Sequence, residues 1–79
     1  MMLRILSPRG IEFEGDAKSL NAKSALGEIT VLDHHHPLMT VLAKGVMTIE
    51  QVAGDRRDIP IESGFLEMND QNELILLIN

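Results

Sequence analysis

Glycine, proline, asparagine or aspartate, which interrupt regular structure, recur about every six to ten positions along this chain. Of all features of the sequence, this spacing limits the possible folds most strongly. No segment carries apolar residues at helical spacing over the ten or more positions that a stable helix uses. The stretches between the interruptions are short, and several are rich in β-branched residues, as in residues 46–52. The pattern predicts about seven to nine short strands, which is typical of an all-β antiparallel sandwich or barrel.

Several segments predict particular strands and hairpins. Residues 46–52 lead into an Ala-Gly-Asp turn, which predicts a hairpin, and Pro60 then favours an edge strand or an irregular one. Residues 65–68 and 74–78, separated by a polar turn, predict a last hairpin. Residues 37–44 also admit a short helix with proline at its first position, but the glycine that follows would end it after about two turns.

The segment 11–14 alternates apolar and acidic residues. Ile11 and Phe13 are separated by Glu12 and followed by Glu14. Because successive side chains of a strand point to opposite faces, we expect the two apolar residues to face a core and the two acids to face water. Paired carboxylates could also serve acid–base chemistry, but a solvated strand face explains them better.

Composition excludes several classes of protein. The net charge is −5, the seven basic residues are scattered, and the only aromatic residues are two phenylalanines, so a nucleic-acid-binding surface is not predicted. The chain has no cysteine, hence no disulfide, thiolate–zinc site or thiol nucleophile. No apolar run approaches the ~20 residues of a membrane span. A chain of 79 residues is expected to form one domain, residues 1–79, which relies on packing alone or on packing against a partner.

Three consecutive histidines are the most conspicuous candidate for chemistry. In an extended segment His34 and His36 would share one side and His35 would take the other, so that Asp33 or Glu28 could complete a metal site. An exposed polar loop accounts for the same residues and is the favoured interpretation. The serines lie in no nucleophile motif and the glycines form no phosphate loop. The sequence therefore predicts no catalytic, cofactor-binding or metal-binding residues.

The order of the segments is more specific than any one of them. The succession is LRILSP at 3–8, GIEFEG at 10–15, GEITVL at 27–32, HHPLMT at 35–40, LAKGV at 42–46 and IPIESGFLEM at 59–68. It resembles the N-terminal domain of the epsilon subunit of F-type ATP synthases over essentially the whole chain. The resemblance implies a single all-β domain, a flattened antiparallel β-sandwich of about ten short strands.

The same resemblance implies a function without catalysis. Members of this family belong to the rotor, or central stalk, and couple ion-driven rotation of the membrane-embedded c-ring to the gamma subunit for ATP synthesis. The chain is accordingly expected to be no enzyme, to need no cofactor and to have the gamma subunit and the c-ring as partners. Its expected location is the cytoplasmic face of the bacterial plasma membrane, where it is peripheral and held only through the complex.

The resemblance also implies contact residues. It assigns the c-ring contact to the turn Ser24, Ala25, Leu26, Gly27 and Glu28, and the gamma contact to Ser7, His35 and Thr40. His35 matches a histidine of the family, whereas its neighbours depart from the pattern. His34 stands where the family has glycine, so easy access to positive φ is lost at this position.

Most members of the family continue as a two-helix hairpin that inhibits ATP hydrolysis and in some cases binds ATP. The present chain ends after its last predicted strand, at Asn79. The expectation is therefore that this polypeptide neither binds ATP nor inhibits hydrolysis through such a hairpin.

The alternative function is a small free-standing β-sandwich that binds a ligand or a metal through the His34–His36 loop, as a binding module or a metal enzyme. The two hypotheses differ in the surface that they require. A stalk subunit needs an exposed apolar patch on one face, because a partner must cover it.

Overall fold

The computed structural model describes residues 1–79 as eight β-strands without a helix, which confirms the all-β prediction. The strands are β1 (Met2–Ser7), β2 (Gly10–Ser24), β3 (Gly27–Leu32), β4 (Leu38–Leu42), β5 (Gly45–Gln51), β6 (Arg56–Ile61), β7 (Gly64–Met68) and β8 (Glu73–Ile78). The structure contains no helix that could span a membrane.

Strand β2 takes part in both layers of the fold. Its first half, residues 10–16, pairs with β1, and its second half pairs with β3 and β5. The register shifts between Ala17 and Ser19, which is where a β-bulge bends the strand from one layer into the other. The first layer holds β1, β8, β7 and β4, and the second holds β3, the end of β2, β5 and β6.

The continuity of β2 explains part of the difference between eight strands and the ten that the resemblance implies. Gly15 and Asp16, residues of types that often end a strand, lie within β2 and pair with β1. The antiparallel arrangement holds for every strand pair except one. Strands β1 and β8 run parallel, with Leu3 beside Leu74 and Ile5 beside Leu76.

The core lies between the two layers and is built mainly by alternation along the strands. Strands β1, β7 and β8 contribute every second residue from one side. From the other side β5 contributes two alternate residues and β3 one, whereas the spacing of the buried residues of β2 changes at its register shifts. The buried apolar residues are Met1, Leu3, Ile5, Phe13, Ala17, Leu20, Ala22, Val31, Leu42, Met47, Ile49, Ile61, Leu66, Met68, Leu74, Leu76 and Ile78. No buried side-chain nitrogen or oxygen lacks a hydrogen-bond partner. Because Ser24 is the one polar residue among the 18 buried residues, stability rests on apolar burial.

The prediction for residues 11–14 is correct for Phe13 and wrong for Ile11. Phe13 is buried, Glu14 is exposed and Glu12 is half-buried, but Ile11 is 64% exposed. A register shift places Phe13 opposite Ile5 and Ile11 opposite Leu6, so one extra residue of β2 lies between the two pairs. Because Leu6 points away from the core, the bulge turns Ile11 to the outer face as well.

The hairpin predictions are confirmed. Strand β5 pairs with β6 across a turn that contains Gly54 at φ +98°, and β7 pairs with β8. Pro60 lies on β6, an edge strand, where its missing N–H costs no ladder hydrogen bond. Residues 38–42 form strand β4 rather than the alternative helix, since they pair with β7 along their whole length.

Gly64 offers a sharp test of the β7–β8 register. A Cβ at this position would lie 2.5 Å from the backbone oxygen of Leu77, whereas a Cβ at Gly15 would meet only the Phe13 ring at 3.6 Å. We expect Gly64→Ala to lower the free energy of unfolding by about 1–3 kcal/mol, because the backbone of β8 must shift. Urea denaturation of the two variants provides the measurement, with Gly15→Ala as the matched control. Equal stability of the two variants would contradict the close approach of the strands.

Candidate subunit interface

The two outer faces of the sandwich differ in chemistry. On the second layer, polar side chains pair across neighbouring strands. The Asn21 amide donates to Thr30 Oγ1 at 2.9 Å, and the Thr48 hydroxyl donates to Asp58 Oδ1 at 3.0 Å. Such cross-strand pairs are typical of a face turned to water, and the two exposed apolar strand residues of this face, Leu32 and Val46, lie in different rows of the ladder.

The outer face of the first layer carries a row of apolar side chains that crosses four strands. Val41 on β4 is paired with Phe65 on β7, Phe65 with Leu77 on β8, and Leu77 with Leu6 on β1. Val41, Phe65 and Leu77 are 48%, 58% and 52% exposed. We call these four residues the apolar row. It extends for about 14 Å, since neighbouring strands lie about 4.8 Å apart.

A groove of about 550 Å³ follows the apolar row and has a polar rim. Ser7, Pro8, Ser63 and Asn79 border it, and the Asn79 side-chain amide donates to Ser63 Oγ at 3.0 Å. An apolar centre with a polar border is the usual anatomy of a protein–protein interface. The structure thus contains the exposed apolar patch that a stalk subunit requires.

The sequence contained a signal for this surface, although sequence reasoning named none of the residues of the row. Residues 74–78 are apolar without alternation, so both faces of this strand are apolar. Such a run is typical of a strand that is covered on both sides. Only one side of β8 is covered by the chain itself, which leaves Leu77 on the outer face.

The predicted c-ring turn is a rigid connection between β2 and β3. The Ser24 hydroxyl donates to the Gly27 carbonyl at 2.7 Å and accepts from the Leu26 N–H at 3.2 Å. Gly27 has φ +128°, a conformation that a residue with a side chain rarely adopts. Leu26 is 95% exposed at the tip of the turn, so the fold presents an apolar side chain on a fixed backbone.

This turn lies next to the apolar row. The Ala25 N–H donates to the Val41 carbonyl at 2.9 Å, and the Ala43 N–H donates to the Lys23 carbonyl at 2.8 Å. Val41 belongs to the row, so the two features share one end of the molecule. Glu28 is exposed and stands opposite Lys23 in the ladder.

The three residues assigned to the gamma contact are not gathered at one point. Ser7 and Thr40 lie at the two ends of the apolar row, beside Leu6 and Val41, with strands β8 and β7 between them. His35 is half-buried in the loop that precedes β4, beyond the far end of that strand. Ser7 borders the groove along the row, whereas Thr40 is paired with the buried Leu66, so its side chain points to the core side of the sheet and away from the row. The structure therefore places only Ser7 at this surface and leaves His35 outside it.

Ser7 also has a local structural role. Its hydroxyl donates to Glu12 Oε1 at 2.6 Å and accepts from the Arg9 N–H at 3.2 Å, which fixes the turn between β1 and β2. This hydrogen bond, with the nearby Arg9 charge, holds the pKa of Glu12 below its usual range.

The histidine triplet forms a loop that begins with a turn, in agreement with the favoured interpretation, and not the extended segment in which His34 and His36 would share one side. His34 has φ +59°, at the position where a glycine was expected, and its N–H donates to Asn72 Oδ1 at 2.7 Å. Asn72 also has φ +59°, and its amide donates to Asp33 Oδ1 at 2.8 Å. The loop is thereby fixed to the β7–β8 turn. No group of three or more histidine, aspartate or glutamate side chains is placed to hold a metal ion.

Asp33 is the acceptor at the centre of this loop. The amino group of Met1 lies 2.6 Å from Asp33 Oδ1, on the same oxygen that accepts from Asn72. The hydrogen bond from the ammonium group, followed by that from Asn72, holds the pKa of Asp33 below its ordinary value of 3.8.

The left-handed backbone at His34 predicts an order of stability among substitutions. A residue with a side chain in this conformation costs about 1–2 kcal/mol relative to glycine, which is partly offset because glycine loses more chain entropy on folding. We expect His34→Gly to raise the free energy of unfolding by about 0.5–1 kcal/mol and His34→Val to lower it, since a β-branched residue tolerates positive φ poorly. Urea denaturation measures the series, with His36→Gly as the control. A destabilised His34→Gly would contradict the assigned loop conformation.

The lowered pKa of Asp33 predicts a dependence of stability on pH. The folded-state pKa lies below the unfolded value, so this stabilisation is present above the unfolded pKa and is lost as the pH falls through the folded pKa. Between about pH 5 and about pH 2.5 the wild type should lose more stability than Asp33→Asn, as measured by thermal unfolding. Asp70→Asn, which removes a carboxylate that makes no hydrogen bond, should follow the wild type. Parallel curves for wild type and Asp33→Asn would count against the interaction.

Comparison with known proteins identifies the family. Residues 1–78 match the family described as the ATP synthase Delta/Epsilon chain, beta-sandwich domain. The chain is 36% identical over 74 residues to the ATP synthase epsilon chain of Exiguobacterium sp., covering 94% of this chain and 54% of the relative. It is 35% identical over 77 residues to the epsilon chain of Campylobacter fetus subsp. fetus, covering 98% and 59%. The chain thus spans somewhat more than half the length of these curated relatives.

Solved structures support the fold. A chain of the Euglena gracilis mitochondrial ATP synthase, in a structure of its OSCP/F1/c-ring part, superposes with a TM-score of 0.92 at 20% identity, covering 99% of this chain and 49% of that one. A chain from the central stalk/c-ring of the Tetrahymena thermophila mitochondrial ATP synthase gives 0.84 at 16% identity, covering 99% and 62%. The sequence match over nearly the whole chain and the shared two-layer architecture lead to one conclusion: the protein belongs to the ATP synthase delta/epsilon chain family, of which it forms the β-sandwich domain.

Proposed function

We propose that this chain acts in the central stalk of an F-type ATP synthase, where its β-sandwich binds the gamma subunit and the c-ring and passes rotation between them. The observation that carries the proposal is the family match over residues 1–78. The epsilon-chain relatives and the stalk assemblies named above belong to ATP synthases, and membership of the same complex is the simplest function for a chain with their domain.

The surface chemistry supports a division of the contacts. We assign the gamma subunit to the apolar row, with Ser7 at its border; Thr40, next to Val41 but directed to the other side of the sheet, and His35, beyond the edge of the row, would need a contact that reaches around β4. The c-ring contact is assigned to the turn from Ser24 to Glu28, where Leu26 stands out on a rigid backbone. Because Ala25 is hydrogen-bonded to Val41, a force on the turn is transmitted directly to the strand that carries the row.

In this proposal the domain does no chemistry of its own and needs no cofactor. It is peripheral, on the cytoplasmic face of the bacterial plasma membrane, and is held there through the complex alone. We further propose that residues 1–79 supply the coupling contacts without binding ATP and without inhibiting its hydrolysis. The alternative function, a ligand or metal site at His34–His36, is less well supported, since this loop assembles no set of metal ligands.

Substitution of two exposed apolar residues, one inside the apolar row and one outside it, tests the proposed gamma contact. Phe65 is 58% exposed in the apolar row, and Val52 is 66% exposed in the β5–β6 turn, far along the chain from the row. We expect Phe65→Ser to weaken the affinity for the purified gamma subunit about tenfold to a hundredfold, because a central aromatic side chain dominates such an interface. Val52→Ser should bind like the wild type in the same titration. Failure of the wild type to bind gamma or to co-purify with the c-ring would overturn the proposed function.

A further inference from the structure

A carboxylate lies on the face of the apolar row without a cation to neutralise it. A second set of cross-strand neighbours lies two residues along each strand from the row and on the same face. In it, Met39 on β4 is paired with Glu67 on β7, and Glu67 with Ile75 on β8. Phe65, two residues before Glu67 on the same strand, faces the same side. Three apolar side chains therefore surround the Glu67 carboxylate on a surface that is otherwise suited to burial.

No group of the chain compensates this charge. Glu67 makes no hydrogen bond and no ion pair, whereas Glu12, Glu14, Glu62 and Glu73 each lie within ion-pair distance of an arginine or lysine. The base on the same face, Arg4, stands on β1 beyond Ile75 and is already bound to Glu14 at 2.9 Å. The last basic residue of the chain is Arg57, so neither β7 nor β8 can supply a cation.

Covering such a face without pairing the charge would be costly. An ionised carboxylate that is removed from water and left unpaired weakens a complex, because no group replaces the hydration that it loses. A partner that covers the apolar row must therefore leave Glu67 in water or bring a positive charge to it. The adjoining surface favours the second arrangement, since a recess of about 440 Å³ opens beside Glu67. Its lining combines the apolar residues Pro37, Leu38, Met39 and Met68 with the polar Asn69 and a second carboxylate, Asp70. Apolar walls of this kind accept the methylene stem of a lysine or arginine.

We propose that Glu67 binds a lysine or arginine of the partner that covers the apolar row, and that this ion pair fixes the partner's position on the sheet. The proposal rests on the proposed function, in which that partner is the gamma subunit. The partner's surface that would match this face is a row of apolar side chains with a basic residue beside it. The apolar row runs across the strands for about 14 Å, a length that about ten residues of an amphipathic helix cover at 1.5 Å per residue.

Affinity measurements at two salt concentrations test the ion pair. The probe is the purified gamma subunit, titrated against the wild type, Glu67→Gln and Glu67→Lys at about 50 mM and about 300 mM salt. We expect Glu67→Gln to bind about tenfold more weakly and with less dependence on salt, and Glu67→Lys to bind more weakly still, because it opposes the partner's charge. Circular dichroism and urea denaturation establish that both variants fold.

The matched control lies on the opposite face. Glu50 is an exposed strand glutamate whose carboxylate accepts only a 3.4 Å hydrogen bond from Ser19, so Glu50→Gln should bind gamma like the wild type. If the wild type and Glu67→Gln bind with the same affinity and the same salt dependence, the role of Glu67 is overturned while the proposed function stands. If the wild type does not bind gamma at all, both proposals are overturned.

Discussion

The passage of β2 through both layers is the constraint on which the rest of the structure depends. The strand pairs with β1 in the first layer and with β3 and β5 in the second, so one continuous backbone joins the two halves of the core. In a chain of 79 residues the core is small, and the continuous backbone of β2, which is hydrogen-bonded in both layers, connects its two sides. The β-bulges in this region change the direction of the strand and also turn Ile11 to the outside.

The two-layer arrangement leaves two outer faces, of which the second is mixed, with exposed Leu32 and Val46 among polar residues, and the first carries a continuous apolar row. Cross-strand hydrogen bonds satisfy the polar side chains of the second layer, whereas the first layer exposes the apolar row. The β2–β3 turn is bonded to the strand at one end of that row, so a contact at the turn and a contact on the row act on the same rigid body. The proposed function, in which this domain passes rotation between two partners, depends on this connection between the turn and the row.

Much of the fold could be predicted from local signals. For the candidate interface, the sequence predicted that a stalk subunit needs an exposed apolar patch, but not which residues form it. The β5–β6 and β7–β8 hairpins and the edge position of Pro60 follow from turn chemistry and from the missing N–H of proline, which act within a few residues. Ile11 could not be placed, because its direction depends on a register shift against β1. His34 was recognised as a departure from glycine, yet its positive φ is stabilised by Asn72, a residue 38 positions away.

The sequence by itself determined the all-β class, the absence of cysteine chemistry and the family, because strand alternation, composition and the order of motifs are properties of the chain. Only the tertiary structure decided that Val41, Phe65, Leu77 and Leu6 form one surface, since the pairing of four strands brings them together. It also decided that Glu67 stands among apolar neighbours without a cation, although the sequence places it in an ordinary alternating strand. The reason is physical: hydrophobic patterning selects which side of each strand faces the core, but the long-range register between strands selects the neighbours on the other side.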